Sequence, residues 1–463
     1  MTEQREFDVV VLGAGPAGEV CAGRLADGGL EVAIVERDLV GGECSFYACM
    51  PSKALLRPAQ ALAEARRVPG AAQASAGELD VAAVLERRDE VVHGLSDEAQ
   101  LPWLADRSIE LVRAHGKLMG ERELSAGEVT IKARRAIVLA TGTGAAMPPI
   151  PGLREARPWT NRQATTSSSV PASLVILGGG VVGCEMACAY ASLGTRVALV
   201  EATPRLIAAE EEFASQMLLD ALRDAGVEVA LGARAVGVER SASASVPGEG
   251  PVAVELEDGR MLEGQELLVA VGRAPNTEDL GLEALGLQPG RPVEVTETMG
   301  VAGHDWLYVI GDANGRALLT HMGKYQARLA ADHILGRPVP LLLDGRRSPR
   351  VIFTEPQVAA VGYTLGGALQ AGLRARAVDV PVGANAGASF VGRGAPGTAR
   401  IVVDEDRGVI VGATFTGVDV AESIHAATIA VVGEVPLERL WHAVPCFPTR
   451  SEVWLMLLEA YGL

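Results

Sequence analysis

One supersecondary pattern occurs twice along this chain. Near the start, the apolar run Val9-Val10-Val11-Leu12 leads into Gly13-Ala14-Gly15-Pro16-Ala17-Gly18, a helical stretch, a second run Val32-Ala33-Ile34-Val35, and Glu36. Further on, Leu174 to Leu177 leads into Gly178-Gly179-Gly180-Val181-Val182-Gly183, another helical stretch, Val197 to Val200, and Glu201. The interval from first glycine to acid is 23 residues in both. Glycines so placed permit a tight turn and let the backbone approach a pyrophosphate. The helix N-terminus faces the phosphate charge, and the acid accepts from ribose hydroxyls. A lone G-x-G-x-x-G is weak evidence. Two copies with the same strand context and acid spacing predict an α/β chain with two Rossmann-like units.

Two such units mean two dinucleotides, one a bound electron carrier and the other an exchangeable donor. Glu201 favours the free 2′-hydroxyl of NAD and repels the 2′-phosphate of NADP. Arg205 is nearby, but one arginine is a thin phosphate site.

Between the copies, residues 41 to 53 read Gly-Gly-Glu-Cys-Ser-Phe-Tyr-Ala-Cys-Met-Pro-Ser-Lys. Cys44 and Cys49 are spaced C-x4-C, and Pro51 falls where a helix can start. The positive end of a helix stabilises a thiolate, so this pair suits reversible disulfide chemistry. The blander readings are a zinc half-site or two structural cysteines. Zinc needs a second pair or nearby histidines, and none is spaced to supply them, so no metal is expected. The other cysteines, Cys21, Cys184, Cys188 and Cys446, form no disulfide framework, which fits a reducing cytoplasm.

A chain of 463 residues is too long for one core. Its net charge of −17 opposes nucleic-acid binding and adhesion to anionic membranes. No apolar run reaches bilayer-spanning length, and Met1 to Phe7 lacks the form of a signal peptide. A cytoplasmic protein with neither nucleic-acid nor membrane partners is expected.

Four further motifs follow in order. They are Ala140-Thr141-Gly142-Thr143-Gly144 with Pro148-Pro149-Ile150-Pro151-Gly152; Val271-Gly272-Arg273-Ala274-Pro275-Asn276-Thr277; Tyr308-Val309-Ile310-Gly311-Asp312; and Phe353-Thr354-Glu355-Pro356 with Val361-Gly362-Tyr363-Thr364. With the glycine units and the cysteine segment, they make the chain resemble the flavoprotein disulfide reductases. These are the dihydrolipoamide dehydrogenase, glutathione reductase and mercuric reductase group, and the resemblance covers essentially the whole chain.

The resemblance implies a discontinuous FAD-binding domain (residues 1–152 and 275–345), a NAD(P)-binding domain (153–274) and an α+β interface domain (346–463). Ser241 to Pro251 reads as a surface hairpin loop. FAD would be held by Gly13, Gly15, Gly18, Glu36, Gly42, Lys53, Gly116, Thr141, Gly142, Gly311 and Asp312, the aspartate binding the ribityl chain. Gly178, Gly180, Gly183, Glu201 and Gly272 would hold NAD. The family is homodimeric, with each active site shared between subunits.

By the same resemblance, hydride passes from NADH to flavin, then through Cys49, the charge-transfer thiol, and Cys44, the interchange thiol. The end point is a small-molecule disulfide or another acceptor. Lys53 would sit beside the flavin, with Glu185 as its ion-pair partner. Read without the family, these two are a surface lysine and a helix-face carboxylate.

One segment departs from the pattern. The family ends in His-Pro-Thr-x-x-Glu, whose histidine shuttles protons at the partner's interchange thiol. Here Phe447 takes the histidine position, while Pro448, Thr449 and Glu452 are retained. Phenylalanine carries no proton, which puts ordinary disulfide turnover in doubt. His442 is either a displaced base or a helix-end packing residue. Cys446 is either a third thiol or, more commonly for such a residue, a small buried hydrophobe. Phe46, Tyr47 and Phe447 make an apolar mouth or pack into the core. The C-terminus lacks the cysteine pair that mercuric reductases carry. The expectation is an FAD-dependent NAD(P)H oxidoreductase with a redox-active Cys44–Cys49 disulfide. The alternatives are a diaphorase-type quinone reductase, or a metal-ion-reductase-like enzyme, using the flavin directly, and a non-catalytic redox-sensing flavoprotein.

Overall fold

A computed structural model of the chain describes residues 3–241 and 250–463. The loop expected at Ser241 to Pro251 lies largely outside the described residues. The chain divides into two compact units. One comprises the segments up to Pro51, Arg88–Ala146 and Arg273–Gly345; the other comprises Ser52–Arg87, Met147–Gly272 and Arg346–Leu463.

In the first unit, the strand Glu3–Leu12 lies inside a mostly parallel sheet. The order is Gly300–Val301, His304–Val309, Val129–Leu139, Glu3–Leu12, Val32–Glu36 and Glu110–Arg113, with only the first strand antiparallel to its neighbour. Gly116–Gly120 and Glu123–Ala126 fold back onto the same sheet as antiparallel strands. A parallel sheet covered on both faces needs unbroken apolar runs. Val9 and Val11 accordingly enter one core cluster, while Val10 and Leu12 enter another. The helix Pro16–Asp27 starts with proline in its first turn, where the missing N–H costs nothing. Its Cys21 and Leu25 share a core with Ala327 and Ala330 of the helix Thr320–Ile334.

In the second unit, four parallel strands run in the order Glu228–Leu231, Arg196–Glu201, Ser173–Leu177, Glu266–Val269. The alternation repeats: Leu174 and Ile176 enter one cluster, Val175 and Leu177 another. The helix Val181–Ser192 follows the glycine turn. Ala235–Arg240, Val252–Leu256 and Met261–Gly264 form a small antiparallel sheet. The C-terminal segment forms a five-stranded antiparallel sheet in the order Arg350–Ile352, Gln357–Gly362, Val409–Gly417, Thr398–Asp404, Ala375–Pro381.

Candidate active site

The glycines divide their labour identically in the two copies. A Cβ at Gly13 would come within 2.4 Å of the Ala140 carbonyl oxygen, and one at Gly178 within 2.4 Å of the Ala270 carbonyl oxygen. Both residues have φ near +108°, which only glycine adopts freely. A Cβ at Gly18 would lie 1.9 Å from the Gly13 oxygen, and one at Gly183 would lie 1.9 Å from the Gly178 oxygen. These four glycines let helix, turn and strand close up. At Gly15 and Gly180 a Cβ would meet nothing within 4 Å. Those two backbones face open space at a helix N-terminus, where a pyrophosphate fits.

The terminal acids are matched as well. Glu36 accepts from Ala14 N at 2.7 Å and from Asp38 N at 2.7 Å. Glu201 accepts from Gly179 N at 2.6 Å and from Thr203 N at 2.6 Å. Each carboxylate is pinned at the turn, and lone pairs remain for ribose hydroxyls. Arg205 is held by carbonyls: Nη1 donates to Glu210 O at 2.8 Å and Nη2 to Ala208 O at 2.6 Å.

Gly42 comes close to the first turn, since a Cβ there would lie 2.7 Å from Gly15 Cα. Gly116 is a packing glycine, and its Cβ would strike Leu12 Cδ1 at 2.5 Å. Gly142, Gly272 and Gly311 all have positive φ. Around Gly142, Thr143 Oγ1 donates to Asp312 Oδ2 at 2.7 Å, and Arg273 Nε donates to Thr143 Oγ1 at 2.6 Å. Burial raises the Asp312 carboxyl, against the pull of Thr143 and Arg273. Thr141 Oγ1 is buried with no partner among the described residues. A buried hydroxyl left unpaired beside the first glycine unit fits a polar cofactor group such as those of FAD.

The cysteine pair lies in the first unit. Cys44 sits in the short helix Gly42–Phe46, and Cys49 opens the helix Cys49–Arg67. Both are thiols, and a hydrogen bond joins them. That bond and burial push the Cys44 thiol up, while the Thr320 hydroxyl and the Lys324 ammonium pull it down. Thr320 Oγ1 lies 3.4 Å from Cys49 Sγ. Phe46 is 1% exposed and stacks obliquely on Tyr47, so the Phe46 ring belongs to the core and lines no mouth.

In the second unit, Lys53 Nζ donates to Glu185 Oε2 at 2.7 Å. Glu185 is 3% exposed. Its other oxygen accepts from Phe353 N at 2.9 Å, and the Phe353 ring lies under Lys53 at 4.7 Å. Glu185 is thus a buried, doubly used acceptor rather than a solvated helix-face carboxylate. Sequence reasoning missed the parts played by Phe353 and Thr320. Phe353 stands in a family motif that gives it no role of its own, and Thr320 carries no motif.

The departing segment is open. Phe447 is 76% exposed, and Val444 and Trp441 are exposed with it. Cys446 is exposed too, which corrects its reading as a small buried hydrophobe, because its flanking residues leave the core after the short helix Leu437–Leu440. Its carbonyl accepts from Thr449 Oγ1 at 2.6 Å. His442 is exposed, and its backbone N donates to Arg439 O at 3.1 Å. Glu452 Oε2 is buried without a hydrogen-bond partner among the described residues.

Residues 7–328 match the sequence profile of the pyridine nucleotide-disulphide oxidoreductases, and residues 348–457 match the dimerisation domain of that family. The chain is 30% identical to a dihydrolipoyl dehydrogenase of Rhizobium etli, covering 98% of each protein. It is 27% identical to a mercuric reductase of Staphylococcus aureus, covering 96% of this chain and 81% of that one. Among solved structures it is similar to the HOCl-induced flavoprotein disulfide reductase RclA of Escherichia coli. The TM-score is 0.84 at 26% identity, over 98% of this chain and 99% of that one.

Proposed function

Because this chain belongs to the pyridine nucleotide-disulphide oxidoreductase family, we propose that it is a homodimeric, cytoplasmic, FAD-dependent oxidoreductase that takes electrons from NADH and delivers them through Cys44 and Cys49 to a small-molecule disulfide. The observation that carries this reading is the hydrogen-bonded thiol pair at the start of a helix, with the Thr320 hydroxyl on its sulfurs. FAD, when bound, supplies the two-electron chemistry that side chains lack. Gly13, Gly15, Gly18, Gly42, Glu36, Thr141, Gly142, Gly311 and Asp312 would hold it, while Gly116 packs against the Leu12 side chain.

The thiol chemistry belongs to the chain. The Cys44 thiolate attacks one substrate sulfur, a mixed disulfide forms, and the first substrate thiolate leaves. Cys49 then attacks the Cys44 sulfur, releasing the second thiolate and closing the Cys44–Cys49 disulfide. The substrate gains two electrons and the pair loses two. Each departing thiolate needs a proton, and Phe447 brings none. Lys53 and Glu185 form a charged pair whose buried carboxylate fixes the lysine head.

NADH is the preferred donor. Glu201, held by Gly179 N and Thr203 N, would accept from ribose hydroxyls, and the carbonyls bound to Arg205 draw that cation away from a 2′-phosphate. The exposed Trp441, Val444 and Phe447 favour burial between two copies.

Phe447 also favours a second reading, a diaphorase that reduces quinones or dyes, since that transfer needs no base at residue 447. Phe447→His separates the two. On the first reading it speeds disulfide reduction by about tenfold, because the unpartnered Glu452 oxygen can accept from an imidazole. Dye reduction stays unchanged. Thiol counting before and after reduction by NADH is the direct check, and two additional thiols are expected. A constant count would exclude the disulfide route, leaving the diaphorase.

A further inference from the structure

A chain with phenylalanine where the disulfide-reductase pattern it resembles has histidine must steady its nucleophilic thiolate by other means. The helix Thr320–Ile334 supplies two groups on one face, Thr320 and Lys324, one turn apart. Both belong to the same compact unit as the cysteine pair. The Thr320 hydroxyl lies 3.4 Å from Cys49 Sγ and hydrogen-bonds Cys44 as well. Lys324 is half-buried, so its charge is less screened than that of a surface lysine. It lies within Coulombic reach of the Cys44 thiol and also of Glu19, on the helix Pro16–Asp27.

We infer that Lys324 is a positioning residue for the proposed thiol–disulfide chemistry: its ammonium favours Cys44 as the attacking thiolate, and Glu19 competes for that charge. Lys324 thereby takes over the charge-stabilising half of an imidazolium's work and leaves proton delivery undone. This asymmetry matches the site, where a lysine stands one helical turn from the hydroxyl that touches the thiol pair but no proton-carrying side chain stands at residue 447. Glu19 tempers the effect. Burial pushes its carboxyl up to about 7, so near neutral pH it is partly charged and draws on the same ammonium.

The inference rests on the proposed function, and the test separates the two. Reduced holoenzyme is alkylated with iodoacetamide at pH 7, and labelling of the Cys44-bearing peptide is timed by mass spectrometry. Thiolate fraction sets this rate. Lys324→Met should slow labelling about fivefold, and Lys324→Arg should stay within about twofold of the wild type. Glu19→Gln, which frees the ammonium from its competitor, should quicken labelling about twofold. A packing role cannot produce opposite effects at Lys324 and Glu19 together with rescue by arginine. Lys324→Met at the wild-type rate, arginine as slow as methionine, or slowing in Glu19→Gln would each overturn the inference. If Lys324→Met fails to accumulate, the other two variants still decide. A thiol count that does not change on reduction overturns the disulfide function itself, whatever the alkylation rates.

Discussion

In both glycine units the acid ending the second strand accepts from the second residue of the turn, yet the acids on the two glycine helices meet opposite fates. In the second copy, Glu185 lies two residues after the last glycine, pairs with Lys53 at 2.7 Å and accepts from Phe353 N. In the first, Glu19 lies one residue after the last glycine, makes no salt bridge among the described residues, and burial pushes its carboxyl up to about 7. One position on a helix is about 100° of rotation. The same scaffold thus presents one acid locked between a lysine and a backbone N–H and the other as a group that titrates near neutrality. A nucleotide-binding backbone is shared at little cost, whereas the face of its helix is specific to each copy.

Removing the close approach should break the comparison most severely. Gly18→Ala forces a Cβ to within 1.9 Å of a carbonyl oxygen in the first copy, and Gly183→Ala does the same in the second. The first variant should purify without flavin absorbance. The second should keep its yellow colour while losing NADH-dependent bleaching. Equal flavin loss in both would erase the functional division between the copies. Next in size is Lys53→Met, which strands the buried Glu185 carboxylate. It should lower stability by about 2 kcal/mol in urea titration, below the usual figure for a buried pair because Lys53 is one-third exposed. Glu201→Gln should then narrow the ratio of kcat/KM for NADH over NADPH by about tenfold, by removing a carboxylate that repels a 2′-phosphate.

The smallest effect sharpens the contrast between the helix acids. The Glu19 carboxyl is raised from 4.5 to about 7, so folding favours its protonated form. The cost of ionising it is absent below about pH 4.5, grows as pH rises, and is complete above about pH 7. Glu19→Gln should therefore be neutral to stability at pH 4.5 and stabilising by about 1 kcal/mol at pH 8, read as a shift in Tm, after discounting for partial exposure.

What the amino-acid order discloses is chiefly local. Strand, turn, helix and acid are adjacent in sequence, and glycine spacing encodes backbone conformation directly, so both units were legible. The reading of Val9–Leu12 as a strand stopped short of Glu3, because the outer half of that strand is exposed and lacks an apolar run. The partnership of Lys53 with Glu185 spans 132 residues and was reached only through the family resemblance. Thr320 lies 271 residues from Cys49, with nothing in its neighbourhood to mark it. The cage around Arg205 combines two backbone carbonyls, which every residue possesses and no composition reveals, with the Ser215 hydroxyl. Cys446 misled in the opposite direction: a free cysteine is usually buried, but its segment leaves the core.

The two classes of glycine also carry a genetic consequence. Every missense change at a glycine codon installs a Cβ. At Gly13, Gly18, Gly178 and Gly183 that carbon collides with main-chain atoms, so the polypeptide itself rejects the allele. At Gly15 and Gly180 it enters open space, and on the proposed reading only a bound dinucleotide objects. A library of variants sorted purely for soluble expression would lose alleles of the first class and retain those of the second. The survivors that express well but fail in an enzyme assay would then trace the outline of both ligand cradles, codon by codon.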